Sequence, residues 1–421
     1  MSTLFVHLST MPRLRFGQEA WIDIDFGDEV ALEQCGAPRG ETLADFAGAL
    51  RAALAEPLEL PPLARCTTPG DSVVLALDPQ LPQAATAVAT IVEDLLAAGV
   101  SADGITILRT RGDLATRGDA SADWIAPSVA PEHIEAIRRA VHDPSDRRGL
   151  AYLAANDDGE PILLNRALHD ADVVLPVSAA QRSGAVGNFG LCGSVYPNFS
   201  DDKTIHRFRA AEAAADDRAT HAKLAAQADQ VGWLLGVVFG IQVVPGPNGD
   251  VVHVVAGATD AVRRRGRELY RSVWHDKAAA QCDLVIAGVQ GGRAQQTWES
   301  LGSALSEAMP LVADGGSLVI CCELEEEPGP AVQWLASAPS RQAAMRKIAK
   351  ELPPDTLPAA QLVRAQQAAT LYLVSRLSSA LVEQLDAIPM QPAEVAEMAR
   401  HSRSCLLLSN ASLADVKLDG R

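Results

Sequence analysis

Short, almost wholly apolar runs alternate with longer alanine-rich stretches from residue 73 to residue 409, and this alternation limits the fold more than any other feature. The runs 73–77, 105–109 and 172–177 read as strands, hydrophobic nearly throughout as expected where both faces of a sheet are covered. Between them, 84–98 and 204–230 read as helices, and 121–140 as a loop followed by a helix with Pro131 near its start. Residues 235–244 and 251–255 read as a hairpin, because Pro245-Gly246-Pro247-Asn248-Gly249 between them is a strong turn signal. A second cycle follows. It has helices at 258–273, 294–312 and 392–401, a mostly helical 332–352, and strands at 283–289, 317–322, 371–375 and 405–409. Strand–helix alternation of this kind favours parallel sheets with right-handed crossovers. A chain of 421 residues is too long for one ordinary core. The expected fold class is therefore α/β, two domains with mainly parallel sheets and a cleft between them, divided as 1–275 and 276–421.

Composition removes several function classes. The net charge is −17, whereas a protein that neutralises phosphates carries a basic face, so nucleic acid is not an expected partner. The longest like-charge runs, Glu325-Glu326-Glu327 and Arg263-Arg264-Arg265, read as solvated surface. No stretch approaches the ~18 apolar residues of a membrane helix, and residues 1–13 lack the basic-then-apolar order of a signal peptide. The 7 cysteines are scattered without a C-x-x-C pair, which reads as reduced thiols and a cytoplasmic protein. With 4% aromatic residues, the core must be built mainly from Ala, Val, Leu and Ile.

Ligands of open α/β sheets sit beyond the carboxyl ends of the strands. Three loops stand at such places: Asp78-Pro79-Gln80, residues 178–193, and Gln290-Gly291-Gly292-Arg293. Their glycines permit either close approach to a ligand or simply a tight turn. The run Gly184 to Gly190 lacks G-x-G-x-x-G spacing, and neither a G-x-x-x-x-G-K-[ST] nor a G-x-S-x-G motif occurs. Of the 9 histidines none has zinc-type H-E-x-x-H spacing. His206 is the best functional candidate, since it opens a helix after the glycine-rich loop. Asp157-Asp158 and Asp201-Asp202 suit either a cation or turn and helix caps. Against the acidic background, Arg109, Arg111, Arg182, Lys203, Arg207, Arg209 and Arg293 fall at strand ends or in and just after these loops. They form either a pocket for a small anion, gripped bidentately by guanidinium, or separate surface charges.

The order of elements and several motifs resemble the nickel-dependent lactate racemase family over most of the chain. Asn165-Arg166-Ala167-Leu168-His169-Asp170-Ala171-Asp172 is similar to the family's lead into a strand and glycine loop. Val186 through Asn198 is similar to its A-G-F-S-G-G-R-K-S-x-x-P-G run, followed by Lys203-Thr204-Ile205. Val254-Val255-Ala256-Gly257, Cys282-Asp283, and Gly291-Gly292 with Gln296 are further likenesses. The resemblance implies an isomerase that moves a hydride and a proton on a 2-hydroxy acid. In such proteins a loop lysine tethers a pyridinium-derived nickel pincer, one histidine ligates the nickel, and two others exchange the proton.

This chain departs from that pattern at most of those positions. Gly193 stands at the tether, with Cys192 beside it, and no lysine occurs between Arg166 and Lys203. Arg209 stands at the nickel-binding histidine, with His206 one turn earlier as a weak metal candidate. Leu114 and Ser183 replace the two proton-exchanging histidines. Asp78 and Pro82 persist from D-H-T-R-P, but its arginine is gone, and Ser300 and Ser303 stand where a glutamine and a lysine are expected. The expected function is therefore binding of a small 2-hydroxy acid or other carboxylate with the nickel-pincer machinery degenerate. The anion falls to Arg111, Arg182, Lys203, Arg209, Arg293 and Gln296, and the loop backbone to Gly187, Gly190 and Ser194. No catalytic residue is assigned, and Asp78 is retained at a family position. The alternatives are a non-catalytic sensor or regulator of a racemase, and an enzyme built on Cys192 or a carboxylate.

Overall fold

The computed structural model describes residues 11–26, 30–113, 124–125, 129–156, 159–182, 187, 189–214 and 218–419. Leu114, Asp157, Asp158, Ser183, Gly184, Ala185, Val186 and Asn188 lie outside the described residues. Two compact units result. One holds Pro38–His275 with Arg346–Leu357, and the other holds Met1–Ala37, Asp276–Met345 and Pro358–Arg421.

The first unit is organised by a six-stranded sheet in the order Val251–Ala258, Phe239–Pro245, Val173–Ala179, Val73–Leu77, Ile105–Thr110, Arg138–His142. All neighbours are parallel except the Phe239–Pro245/Val251–Ala258 hairpin. Val73–Leu77 is buried at every position because Val73, Leu75 and Leu77 pack toward helices and Val74 and Ala76 pack on Leu168, Val195, Phe199 and Val237. Ile91, Leu95, Leu50 and Leu54 of the helices Ala84–Ala97 and Phe46–Ala55 join Leu75, Ile107, Val177 and Ile241 in one apolar core. Two elements differ from expectation. The helix expected through residue 140 ends as Pro131–Ala136, and Arg138–His142 is an edge strand. Its polar sequence suits an edge, where only one neighbour is needed. The stretch 204–230 is described as two helices, Asp202–Ala214 and Arg218–Leu234.

The second unit carries an all-parallel sheet in the order Ile388–Pro389, Thr370–Val374, Val312–Cys321, Cys282–Gly288, Ser404–Leu408, Ala31–Cys35. Its last strand corrects the expected first domain of 1–275. Ala31–Cys35 extends the sheet by pairing Leu32 with Cys405 and Gln34 with Leu407, so the described residues up to Ala37 belong to this unit. The Arg13–Phe16/Ala20–Asp23 hairpin follows it there, burying Leu14, Phe16 and Ile22 against Ile286 and Leu407. The fold is α/β with mainly parallel sheets. No helix among the described residues is long and apolar enough to cross a membrane.

Candidate functional site

The carboxyl ends of the Val73–Leu77 and Val173–Ala179 strands are bound together by Asp78. One oxygen of its carboxylate accepts from the Ala179 amide at 3.1 Å and the other from the Gln80 amide at 2.9 Å, while its own amide donates to Val177 at 3.0 Å. The Gln181 and Gln80 side chains bond above this strap. Arg182 follows directly and is buried, 8% exposed. A guanidinium keeps its charge at any accessible pH, so Arg182 fixes a cation in a partly desolvated place at the strand ends.

At the next strand, Arg109 is 2% exposed, pairs with the buried Asp113 and lies 4.6 Å from the centre of the Trp124 ring. Arg111 is turned outward and pairs with Asp143 at the end of Arg138–His142. Hydrogen bonds from Ser145, then the Arg111 charge, hold the Asp143 carboxyl below the usual range. Behind this pair His142 is buried, with Nε2 2.7 Å from the Ser200 carbonyl and Nδ1 3.1 Å from the Asn165 amide nitrogen. Nε2 therefore donates and Nδ1 accepts, which assigns the neutral imidazole. Burial pushes the His142 pKa below its ordinary 6.5. The unfolded chain then binds more protons than the folded one, so stability is full above about pH 6.5 and is lost as pH falls toward the lowered folded value. His142→Gln is expected to flatten that acid-side slope in thermal unfolding between about pH 5 and 7. His253, whose pKa burial also lowers, is the control. An unchanged slope in His142→Gln would remove His142 as its source.

The glycine-rich turn is anchored from below. Gly187 and Gly190 have φ of 77° and 81°. The Gly187 amide donates to Glu212 Oε1 at 2.9 Å, and that same oxygen lies 3.5 Å from His221 Nδ1. Glu212 and His221 are buried at 4% and 8% exposure, and neither was singled out in the sequence. The signal was there. His221 falls in step with Leu224, Ala228 and Val231, and Glu212 one helical turn after Phe208, so each is a polar residue on an apolar stripe.

Ser194 is buried, and its hydroxyl donates to the Leu191 carbonyl at 2.8 Å, closing the short turn Leu191–Ser194. At Gly193 a Cβ would stand 3.0 Å from Phe189 Cβ, and Phe189 packs edge-on against Phe208, centroids 5.0 Å apart. Cys192 lies under the helix Arg218–Leu234, so close that a Cβ at Gly232 would come within 2.5 Å of its sulfur. Burial pushes the Cys192 thiol up to about 12. A thiol so placed supplies no thiolate near neutral pH, which removes it as a nucleophile.

The cations on the helix Asp202–Ala214 are largely engaged. Lys203 and Arg207 both grip Glu160, at 2.8 and 3.1 Å, and Arg207 also donates to the Tyr196 hydroxyl at 2.8 Å. The Lys203 bond and charge, then Arg207, lower the Glu160 pKa. His206 and Arg209 are half-buried on the same helix. Among the described residues no three His, Cys, Asp or Glu side chains cluster to hold a metal ion. In the second unit, Gln296 is a brace: its amide donates to the Val289 and Gly291 carbonyls at 3.2 and 3.1 Å and accepts from the Glu323 amide at 2.7 Å. Arg293 is exposed in the turn Arg293–Gln295, and the Ser300 amide donates to the cap residue Thr297.

Comparison with known proteins gives these elements a common context. Residues 16–221 match the model of the lactate racemase N-terminal domain. The lactate racemase apoprotein from Thermoanaerobacterium thermosaccharolyticum superposes with a TM-score of 0.75 at 17% identity, over 96% of this chain and 99% of that one. A protein from Thermotoga maritima superposes with a TM-score of 0.65 at 12% identity, over 88% of this chain and 98% of that one. No curated protein matches the sequence. Residues 16–221 thus match the lactate racemase N-terminal domain, and the chain as a whole shares the fold of the lactate racemase apoprotein.

Proposed function

We propose that the protein binds a small carboxylate of the 2-hydroxy-acid class at the carboxyl ends of the first sheet, without the lysine-tethered nickel pincer of its family. The observation that carries this reading is Arg182, a buried permanent cation three residues after Ala179, whose amide is held by Asp78. Its five N–H donors let one guanidinium hold a carboxylate while retaining a protein partner. Arg209, half-buried on the neighbouring helix, adds positive potential that draws an anion inward.

The residues present do not fit the pincer. The position of its tether is Gly193, where even a Cβ presses on Phe189, and the adjacent cysteine is packed under a helix. The nearest amine beyond the turn, Lys203, is bonded to Glu160. Arg209 stands where a nickel-ligating imidazole belongs, and a guanidinium has no lone pair to give. The same packing favours a second reading, a regulator or sensor that recognises the family's substrate without turning it over. Unbonded cysteines, six of them buried, support a reducing, cytoplasmic setting.

The test has two arms. After co-production with pincer-synthesis enzymes, the purified chain is expected to have its unmodified mass and no stoichiometric nickel. A mass gain accompanied by nickel overturns the absence of a tether. In thermal-shift titrations, lactate and glycerate are expected to stabilise the chain, and Arg182→Met to weaken that binding roughly tenfold to a hundredfold. Equal response of Arg182→Met and wild type sinks the assignment of the site.

A further inference from the structure

Glu212 and His221 stand among apolar neighbours. Phe208, Leu224, Ala228 and Val231 of the helices Asp202–Ala214 and Arg218–Leu234 form one buried cluster there with Phe189 and Cys192 of the glycine-rich stretch. A leucine at either position would join that cluster without a desolvation cost, whereas a carboxylate and an imidazole, 4% and 8% exposed, lose their water. Buried polar groups of this kind have a partner that an apolar side chain cannot have. For Glu212 the partner is the backbone of the turn. Its Oε1 accepts from the Gly187 amide at 2.9 Å, and the same oxygen lies 3.5 Å from His221 Nδ1.

The place of this contact along the chain gives it a use. Before it the chain is fixed to the sheet, where the Ala180 amide donates to the Val243 carbonyl at 2.7 Å and Arg182 is buried. After it Phe189 packs on Phe208 at 5.0 Å, and Leu191 is 1% exposed. Gly187, five residues after Arg182, is a further fixed point between these two.

We infer that Glu212 and His221 are positioning residues of the carboxylate site: Glu212 holds the loop after Arg182 in its binding shape through Gly187, and His221 steadies Glu212. The inference rests on the carboxylate reading of Arg182. Neither residue touches the ligand. The Gly187 amide is directed inward to Glu212, so the turn serves the site by its shape and not by donating that N–H. A loop ordered beforehand raises affinity, because binding no longer bears the entropy of ordering it.

Two measurements on the intact chain test this, backbone hydrogen exchange at Gly187 without ligand and calorimetric titration with glycerate. Glu212→Leu suits its apolar neighbours and is expected to unfold at the wild-type temperature or above. Its Gly187 amide is nevertheless expected to exchange roughly tenfold faster, and its glycerate affinity to fall roughly tenfold. Glu212→Gln keeps an oxygen for the Gly187 amide and is expected to stay within about threefold of wild type in both readouts. His221→Phe is expected to move both in the direction of Glu212→Leu, and it decides if Glu212→Leu fails to fold. Unchanged exchange in Glu212→Leu, or no rescue by Glu212→Gln, overturns the tether. Faster exchange with wild-type glycerate affinity overturns the positioning role. A wild-type chain that binds no carboxylate sinks the reading of Arg182, while the exchange pattern still judges the tether by itself.

Discussion

Gly257→Ala is expected to lower the stability of the chain by roughly 2–6 kcal/mol, the sum of a strained backbone and an overpacked contact. Gly257 lies in the strand Val251–Ala258 at φ 137°, a conformation that a side chain rarely adopts. Leu58 crosses directly over it. The Leu58 amide donates to the Ala256 carbonyl at 2.8 Å, and the Ala258 amide donates to the Leu58 carbonyl at 2.9 Å. A Cβ on residue 257 would come within 2.3 Å of the Leu58 oxygen and 2.4 Å of its nitrogen. Backbone atoms cannot rotate away as a side chain can, so both bonds must open. Gly70→Ala isolates the two causes, because Gly70 has φ 100° with nothing within 4 Å of the added carbon. It is expected to cost about 1–3 kcal/mol, strain alone. Calorimetric unfolding of both variants settles the comparison, and equal losses would show that the Leu58 crossing contributes nothing.

Asp113→Ala is expected to cost about 3–5 kcal/mol, because it leaves the Arg109 guanidinium buried without its carboxylate. Both side chains are nearly inaccessible, at 2% and 1% exposure. The stacking of Arg109 on Trp124 does not replace the lost counter-charge. The double replacement Arg109→Met/Asp113→Leu removes both charges and is expected to recover most of the loss, since a buried pair can be exchanged for apolar packing at little cost. Chemical denaturation of the two single variants and the double variant reads the coupling directly. A double variant no more stable than Asp113→Ala would sink the argument.

The contrast between Arg109 and Arg111 shows where the sequence stopped being informative. Both were legible as cations at a strand end that faces a ligand in this kind of sheet. Their fates depend on Asp113, one turn later, and on Asp143, which only the pairing of Ile105–Thr110 with Arg138–His142 brings near. Lys203 is likewise drawn to Glu160, across 43 residues of chain. Long-range partners of charged side chains leave no periodic mark, so an expected ring of cations became mostly a set of ion pairs. Asp78 proved to be a strap between two strands, since its carboxylate is occupied by backbone amides.

By itself the sequence determined the α/β class, the strands 73–77 and 283–289 and their neighbours, and the hairpin around Pro247. Apolar runs and turn residues act over a few positions and leave a local signature. It also determined that no lysine is available in the turn before Lys203. Tertiary structure alone decided that Ala31–Cys35 completes the second sheet, that Arg138–His142 is an edge strand, and that Glu212 and His221 lie beneath the glycine turn. The physical reason is common to all three. Short or polar segments have too little intrinsic preference to declare a structure, and they take the one offered by neighbours distant in sequence.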